Sequence, residues 1–210
     1  MRKDILIEWL AKNGQSLTDY QLGQLAVYQE LVLTAPINLT AITSDEDFAI
    51  KHFIDSMTLL PYIDNFERNV ICIDIGTGAG FPGIPLKIAR PELRITLLDS
   101  LLKRVLFLRR AVKELDLQDI EAIHARAEDV KVRYDVAMAR AVARLDKLLG
   151  YALPLVKPGG VFLAMKGPEV QDEIKNAKPI LDKFGAVVES IETIEIAPQM
   201  CHTVVSVKRY

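Results

Sequence analysis

From Val70 onward the chain alternates short β-branched apolar runs with helical stretches, and it closes on two such runs with no helix between them. Strands buried in a parallel sheet read as continuous apolar runs, and each parallel pair needs a crossover that a helix usually supplies. Strands are expected at Val70–Ile75, Arg94–Leu98, Ile120–His124, Asp135–Ala139, Val161–Met165, Ala186–Ile196 and Thr203–Val207, the last two as an antiparallel pair. Residues 1–66 have a helical rhythm. Thr18-Asp19-Tyr20-Gln21 is a capping box ahead of Leu22, Leu25, Ala26, Val32 and Leu33. Ser44-Asp45-Glu46-Asp47 opens a helix whose apolar stripe is Ile50, Phe53, Ile54 and Met57, before Pro61. The chain therefore divides into a helical N-terminal extension, residues 1–66, and an α/β domain, residues 67–210.

The 26 basic and 28 acidic residues give a formal net charge of -2, which excludes nucleic-acid binding by bulk charge and leaves only local basic patches. Cys72 and Cys201 have neither metal-ligand spacing nor the density of a secreted scaffold, so a reduced, cytoplasmic setting without a bound metal is expected. Asp4 and Glu8 break the apolar stretch of MRKDILIEWLAKNG, which leaves no signal-peptide core, and no run approaches the roughly 18 apolar residues of a membrane span. Asn38-Leu39-Thr40 matches the glycosylation pattern, but a chain that is not exported never meets the enzyme that reads it.

Seven strands ending in a hairpin are the layout of the class I S-adenosylmethionine-dependent methyltransferase fold, a Rossmann-like seven-stranded, mostly parallel sheet with an antiparallel last strand. Fold alone does not settle function, so the choice of ligand rests on IDIGTGAGFPGIP, residues 73–85. Gly78 to Gly83 fits G-x-G-x-x-G, and Asp99 follows at the dinucleotide-binding distance. A pyrophosphate, however, is held by free N–H groups at the helix start, where Pro82 and Pro85 have none. Asp74 would also bring a carboxylate toward the phosphates in a low-dielectric crevice.

S-adenosylmethionine makes the opposite demand, having a positive sulfonium, an ammonium group and no phosphate. Read from Asp74 as D-I-G-T-G-A-G, the stretch lets Gly76, Gly78 and Gly80 carry the backbone close to that cofactor. Asp99, at the tip of the second strand, is placed to accept from both ribose hydroxyls. Two other readings stand beside this one: a methyltransferase of a small molecule, and a regulatory module that binds NAD and transfers no methyl group.

The residues resemble those of the RsmG (GidB) family. The resemblance rests on NLT at 38–40, KHFIDS at 51–56, DIGTGAGFPGIPL at 74–86, LLDSLLKRVLFL at 97–108, ARAE at 125–128, ARA at 139–141 and MKG at 165–167. It covers nearly the whole chain and loosens past Lys166. It implies methylation of a guanine N7 in 16S ribosomal RNA, in the decoding-region loop. The implied substrate is the small subunit or an assembly intermediate, and the implied product of the cofactor is S-adenosylhomocysteine. It also implies cofactor contacts at Gly76, Phe81, Ala127, Glu128 and Arg140, although some members have leucine where Phe81 stands. A monomer is expected.

Guanine N7 has a lone pair and no proton at neutral pH, so its methylation asks for alignment more than for a general base. Arg140 and Lys166, donors at strand ends, are accordingly given positioning roles rather than acid–base ones. Arg140 has two readings, the cofactor's carboxylate or the guanine O6, and neither contact can cover N7 itself. His52, Asp55 and Ser56 share one helical face opposite the apolar stripe. With all three on one helix and no nucleophile elbow, a Ser-His-Asp hydrolase is excluded. The residues themselves read as a polar helix face, and the resemblance implies that this face borders the active site together with Asn38.

In KRVLFLRRAVK, Lys103, Arg110 and Lys113 fall near one helix face, with Val105, Leu106, Leu108 and Val112 largely on another. That basic face is either solvated or, with an RNA substrate, a set of phosphate contacts that add affinity without sequence choice. His124 and His202 have no partner at metal spacing and read as structural.

Overall fold

The computed structural model describes residues 1–66, 69–140, 143–167 and 169–210. Its centre is one seven-stranded sheet in the order β3-β2-β1-β4-β5-β7-β6. The strands are β1 (Ile71–Ile75), β2 (Arg94–Asp99), β3 (Ile120–His124), β4 (Tyr134–Arg140), β5 (Val156–Lys166), β6 (Ala186–Ala197) and β7 (Met200–Arg209). The first five run parallel, whereas β7 pairs antiparallel with both β5 and β6. This is the expected class I methyltransferase layout. β5 starts five residues before the expected Val161, because Val156 already pairs with Tyr134 across a register irregularity. Pro158-Gly159-Gly160 resembles a turn in sequence; in the structure it lies inside the strand, with Gly159 at a φ of 80°.

Helices cover both faces, as the continuous apolar strands require. On one face lie α1 (Lys3–Lys12), α2 (Asp19–Leu33), α6 (Gly83–Ala89) and α7 (Leu102–Glu114), and on the other α8 (Leu145–Ala152) and α9 (Gln171–Phe184). Strand alternation separates the two cores, so that Leu97, Met138, Leu163 and Val204 face one and Leu98, Ala137, Phe162 and Val205 the other.

The capping box of α2 is complete: Gln21 N–H donates to Thr18 Oγ1 at 3.3 Å and Thr18 N–H to Gln21 Oε1 at 2.8 Å. Leu6, Leu10 and Leu25 of the helical extension belong to the same buried cluster as Leu97 and Met138 of the sheet. Burial of each stabilises the fold by roughly 1.5–3 kcal/mol. Extension and sheet therefore share one core. The boundary expected between residues 66 and 67 falls beside residues 67–68, outside the described set, as does Ala141 of the ARA motif.

The helix that opens at Ser44 runs as α3 (Asp45–Phe48), a π-helical stretch (Ala49–Ile54) and α4 (Asp55–Met57), followed by α5 (Leu60–Ile63). The polar face read in the sequence lies inside the protein, as does the apolar stripe opposite it. His52, Asp55 and Ser56 are buried along with Ile50, Phe53 and Ile54. The segment is enclosed by α1, α6 and β6, so its polar residues must find partners inside the protein.

Candidate active site

Asp74, at the end of β1, has no exposed surface. Its Oδ2 accepts from Thr77 Oγ1 at 2.6 Å and from Gly83 N–H at 2.8 Å, while Oδ1 is buried with no partner among the described residues. Burial pushes this carboxyl up to about 6, against the pull of the Thr77 and Gly83 hydrogen bonds. Asp74 thus folds the glycine turn onto α6 and does not face a cavity, which corrects the direct cofactor contact expected of it.

All but one of the turn's backbone donors are used within the protein, the exception among the described residues being Ala79 N–H. Gly76 and Thr77 N–H donate to the Leu98 carbonyl, Gly78 N–H to Asp99, Gly80 and Phe81 N–H to the Thr77 carbonyl, and Ile84 N–H to the Gly80 carbonyl. Gly83 N–H is held by Asp74, and Pro82 and Pro85 have no N–H. The turn therefore resembles a phosphate-binding loop in sequence, but among the described residues Ala79 N–H is its one amide without a protein acceptor, too few for a phosphate cradle. Gly80 also departs from its expected place beside the cofactor. A Cβ there would meet Tyr28 Oη at 2.6 Å and Ile84 Cδ1 at 2.7 Å, and its φ is 106°, so this glycine serves helix packing. Phe81 is 3 % exposed and packs among Tyr28, Phe48, Phe53 and His52, which makes its ring part of the core and leaves no free face for a cofactor.

Beside the turn, at the carboxyl ends of β1 to β3, lies a cavity of about 350 Å³ lined by Gly76, Asp99, Ala127, Glu128 and Tyr151. Open α/β sheets bind ligands at this end of their strands. Asp99 is nearly buried: Oδ1 accepts from Leu101 N–H at 2.9 Å, and Oδ2 accepts from Gly78 N–H at 3.0 Å and Arg104 Nη1 at 3.3 Å. The arginine is its only movable partner among these three. Ala127 and Glu128 form part of a single 3₁₀ turn after β3. Tyr151, on α8, carries no signal in the sequence that separates it from an ordinary helix residue. These side chains fit a nucleoside ligand: one nearly buried carboxylate for hydroxyls, an apolar wall from Ile75, Leu98 and Ala127, and a single cation, Arg126, at the exposed rim.

Arg140 ends β4, on the sheet face that also carries Asp74 and Met138. Its Nη1 donates to the Lys51 carbonyl and to Asp55 Oδ2, each at 2.9 Å, and its Nη2 donates to His52 Nδ1 at 3.2 Å. Its guanidinium carbon sits 5.0 Å from the centroid of Phe81, on which His52 stacks at 4.2 Å. Since arginine only donates, His52 Nδ1 must accept, and Nε2 carries the proton that goes to Thr40 Oγ1 at 2.9 Å. Burial, reinforced by the Arg140 charge, pushes His52 down to about 3, so the ring is neutral. Two of the five guanidinium donors, Nε–H and one on Nη2, have no partner among the described residues.

The remaining predicted residues divide. Asp55 joins Arg140 directly, and Thr40 of the NLT motif reaches His52, whereas Asn38 is exposed along a small cavity that Thr40 also lines. Ser56 is fully buried and its Oγ donates to the His52 carbonyl at 2.6 Å, a bond within the helix. Lys166 faces the other side of the sheet from Arg140, because Met165 is the residue opposite Arg140. Its Nζ pairs with Glu173 and donates to the Ala143 carbonyl, both at 2.7 Å, which makes it a tie to α9 rather than a free donor at the site.

On α7, Lys103, Arg110 and Lys113 are exposed, with Arg110 paired to Glu114 at 2.6 Å. Leu106, expected on the apolar face, lies 55 % exposed. His124 contacts the Ser100 carbonyl at 3.1 Å. His202, read as structural in sequence, touches Asp55 and Thr58. No helix among the described residues is long and apolar enough to cross a membrane.

Residues 21–201 match the sequence profile of the family described as rRNA small subunit methyltransferase G. The chain is similar to the ribosomal RNA small subunit methyltransferase G of Acetivibrio thermocellus, 46% identical over 197 residues that cover 90% of this chain and 80% of that relative. It is also similar to the enzyme of that name from Staphylococcus carnosus, at 43% identity over 90% of this chain and 84% of the relative. Among solved structures, the magnesium protoporphyrin IX methyltransferase of Synechocystis shares the fold. Its TM-score is 0.63 at 13% identity, over 93% of this chain and 100% of that one.

Proposed function

The chain belongs to the rRNA small subunit methyltransferase G family, and from that membership we propose that it uses S-adenosylmethionine to methylate N7 of a guanine in the decoding-region loop of 16S rRNA. One observation carries the choice of cofactor: a glycine turn whose amides, Ala79 apart, are engaged by the protein itself borders a cavity that presents Asp99 and Glu128. Such a site suits a nucleoside bearing positive charge and offers little to a pyrophosphate.

When bound, S-adenosylmethionine supplies an electrophilic methyl group on a positive sulfur. Asp99 would accept from the ribose hydroxyls once Arg104 yields its place on Oδ2. Gly76, Ala127 and Glu128 line the cavity for the adenosine, and Gly78 holds Asp99 in position. The two Arg140 donors left over from its protein contacts suit either the methionine carboxylate or guanine O6, and both leave N7 free to attack.

No general base is required of the cluster, and none is on offer. His52 gives its only lone pair to Arg140, and Asp55 is bonded on both oxygens. What these residues provide is a fixed guanidinium, which is the contribution that alignment-limited methyl transfer needs. The basic face of Lys103, Arg110 and Lys113 would contact RNA phosphates, and this contribution weakens as salt rises.

The test is methylation of small subunits purified from a strain that lacks its own family member. The purified chain should introduce 7-methylguanosine into 16S rRNA with S-adenosylmethionine present, and NAD should not bind. Failure of S-adenosylhomocysteine to bind, with NAD binding instead, would return the chain to the nucleotide-module reading.

A further inference from the structure

One buried titratable group plays no part in the proposed reaction. It is His202, at the start of β7 and 147 residues from its partner Asp55. Residue exposures are 7 % for His202 and 8 % for Asp55. Donor counting gives a consistent placement of the protons in this corner. Thr58 Oγ1 lies 2.7 Å from the Asp55 carbonyl and 3.0 Å from His202 Nε2; with its single hydroxyl proton on the shorter of these contacts, it accepts from Nε2.

Nδ1 of the same ring lies against Asp55 Oδ1, whose other oxygen is bonded by Arg140. Burial works against ionisation of Asp55, but the His202 hydrogen bond and the Arg140 charge outweigh it and hold its carboxyl below the usual range. An ionised carboxylate only accepts. With the Thr58 proton so placed, both ring nitrogens of His202 donate.

We propose that His202 is a buried imidazolium that positions Arg140 through Asp55, in a cation–anion–cation relay linking the final hairpin to the end of β4. The relay rests on Arg140 acting at the methyl-transfer site. Its physical sense is a matter of choice of partner. A lone Asp55 beside Arg140 could swing to take two guanidinium donors in the bidentate manner that arginine favours. With Oδ1 committed to His202, only Oδ2 is available, and Arg140 keeps Nε–H and one Nη2 proton for its ligand.

The neighbours on the strands support a pairing specific to Asp55. Ile194 pairs with His202 across β6, and Val204 follows two residues on along β7; both belong to the apolar cluster on this sheet face. Among the described residues the carboxylate of Asp55 and the hydroxyl of Thr58 are the side-chain groups that bond the ring. The sequence carries His202 in a strand-like run and gives no hint of a partner in the N-terminal helices.

The experiment is ¹⁵N–¹H correlation of the imidazole nitrogens in the full chain, labelled at its three histidines, near neutral pH. His202→Gln and His52→Gln spectra assign the signals. Both nitrogens of His202 should be protonated while His52 shows one bare nitrogen, Nδ1, as an internal contrast. A bare nitrogen on His202 under these conditions overturns the relay, whatever the activity.

Kinetics give the second arm. His202→Gln should lower kcat at least tenfold, and the same change in an Asp55→Asn background should add little. Independent, multiplying losses would sink the relay, because they would mean that His202 does not act through Asp55. If instead Arg140→Lys retains full turnover while His202 is doubly protonated, the role given to Arg140 fails and the proton assignment stands.

Discussion

Tyr28 Oη, on the second helix, donates at 2.5 Å to the carbonyl of Ala79 inside the glycine turn, and the hydroxyl is completely buried. The helical extension is thereby a structural part of the glycine turn. Burial raises the phenol well above its ordinary range, so it remains a donor at any working pH. Tyr28→Phe leaves a buried carbonyl unpaired and should destabilise the fold by about 1–3 kcal/mol. The same variant should weaken S-adenosylmethionine binding severalfold. Calorimetry beside a denaturant titration checks both, and unchanged affinity in a destabilised variant would show that the turn keeps its shape without Tyr28.

Asp99 should set the affinity for the ribose. Asp99→Ala removes a charged acceptor and should cost about 1.5–3 kcal/mol of binding, roughly ten- to 150-fold in Kd. Arg104→Gln should act in the opposite direction, since the Arg104 guanidinium lies on Asp99 Oδ2 at 3.3 Å, an oxygen the ribose hydroxyls would need. Titration of both variants with S-adenosylhomocysteine separates the two effects, and a wild-type Kd in Asp99→Ala would remove that carboxylate from the pocket.

Arg140→Lys should fold and should bind RNA, yet lose turnover by a factor on the order of 100, because a point charge cannot hold the Lys51 carbonyl, Asp55 and His52 while still offering a fork. Single-turnover methyl transfer measures this directly. Retention of the wild-type rate would mean that the guanidinium is structural.

Asp74 gives a pH dependence with a definite sign. Its folded value, near 6, lies above the unfolded aspartate value. The folded state therefore binds the proton more tightly, and this group's contribution to stability falls as pH rises between about 4 and 6. Asp74→Asn keeps an oxygen for Thr77 and Gly83 and removes the ionisation. Relative to that variant, the wild type should lose on the order of 3 kcal/mol across this window. Parallel stability profiles for the two proteins would show that Asp74 is not buried as a lone charge.

The sheet was readable in the sequence because its strands are short, β-branched and buried on both faces, and the missing helix before β7 announced the antiparallel end. The glycine turn was readable as a turn. Its internal hydrogen bonding was not: Asp74 looked like a ligand group because local sequence cannot reveal that Thr77 and Gly83 already hold it. Lys166 was misplaced by a single residue of strand alternation, since Met165 pairs with Arg140 and the lysine must face α9. The polar face of His52, Asp55 and Ser56 was visible, but its burial follows from α1 and β6 closing over it. Thr40 and His202 join the cluster across 12 and 147 residues from their partners, separations that no local pattern can bridge.

The proposed function is tested most directly by mass spectrometry of 16S rRNA from a strain deleted for this chain, beside the same strain carrying it again. One 7-methylguanosine should disappear from the decoding-region loop on deletion and return with the wild type, while Arg140→Lys restores it poorly. An unchanged 7-methylguanosine in the deletion strain would contradict the proposal.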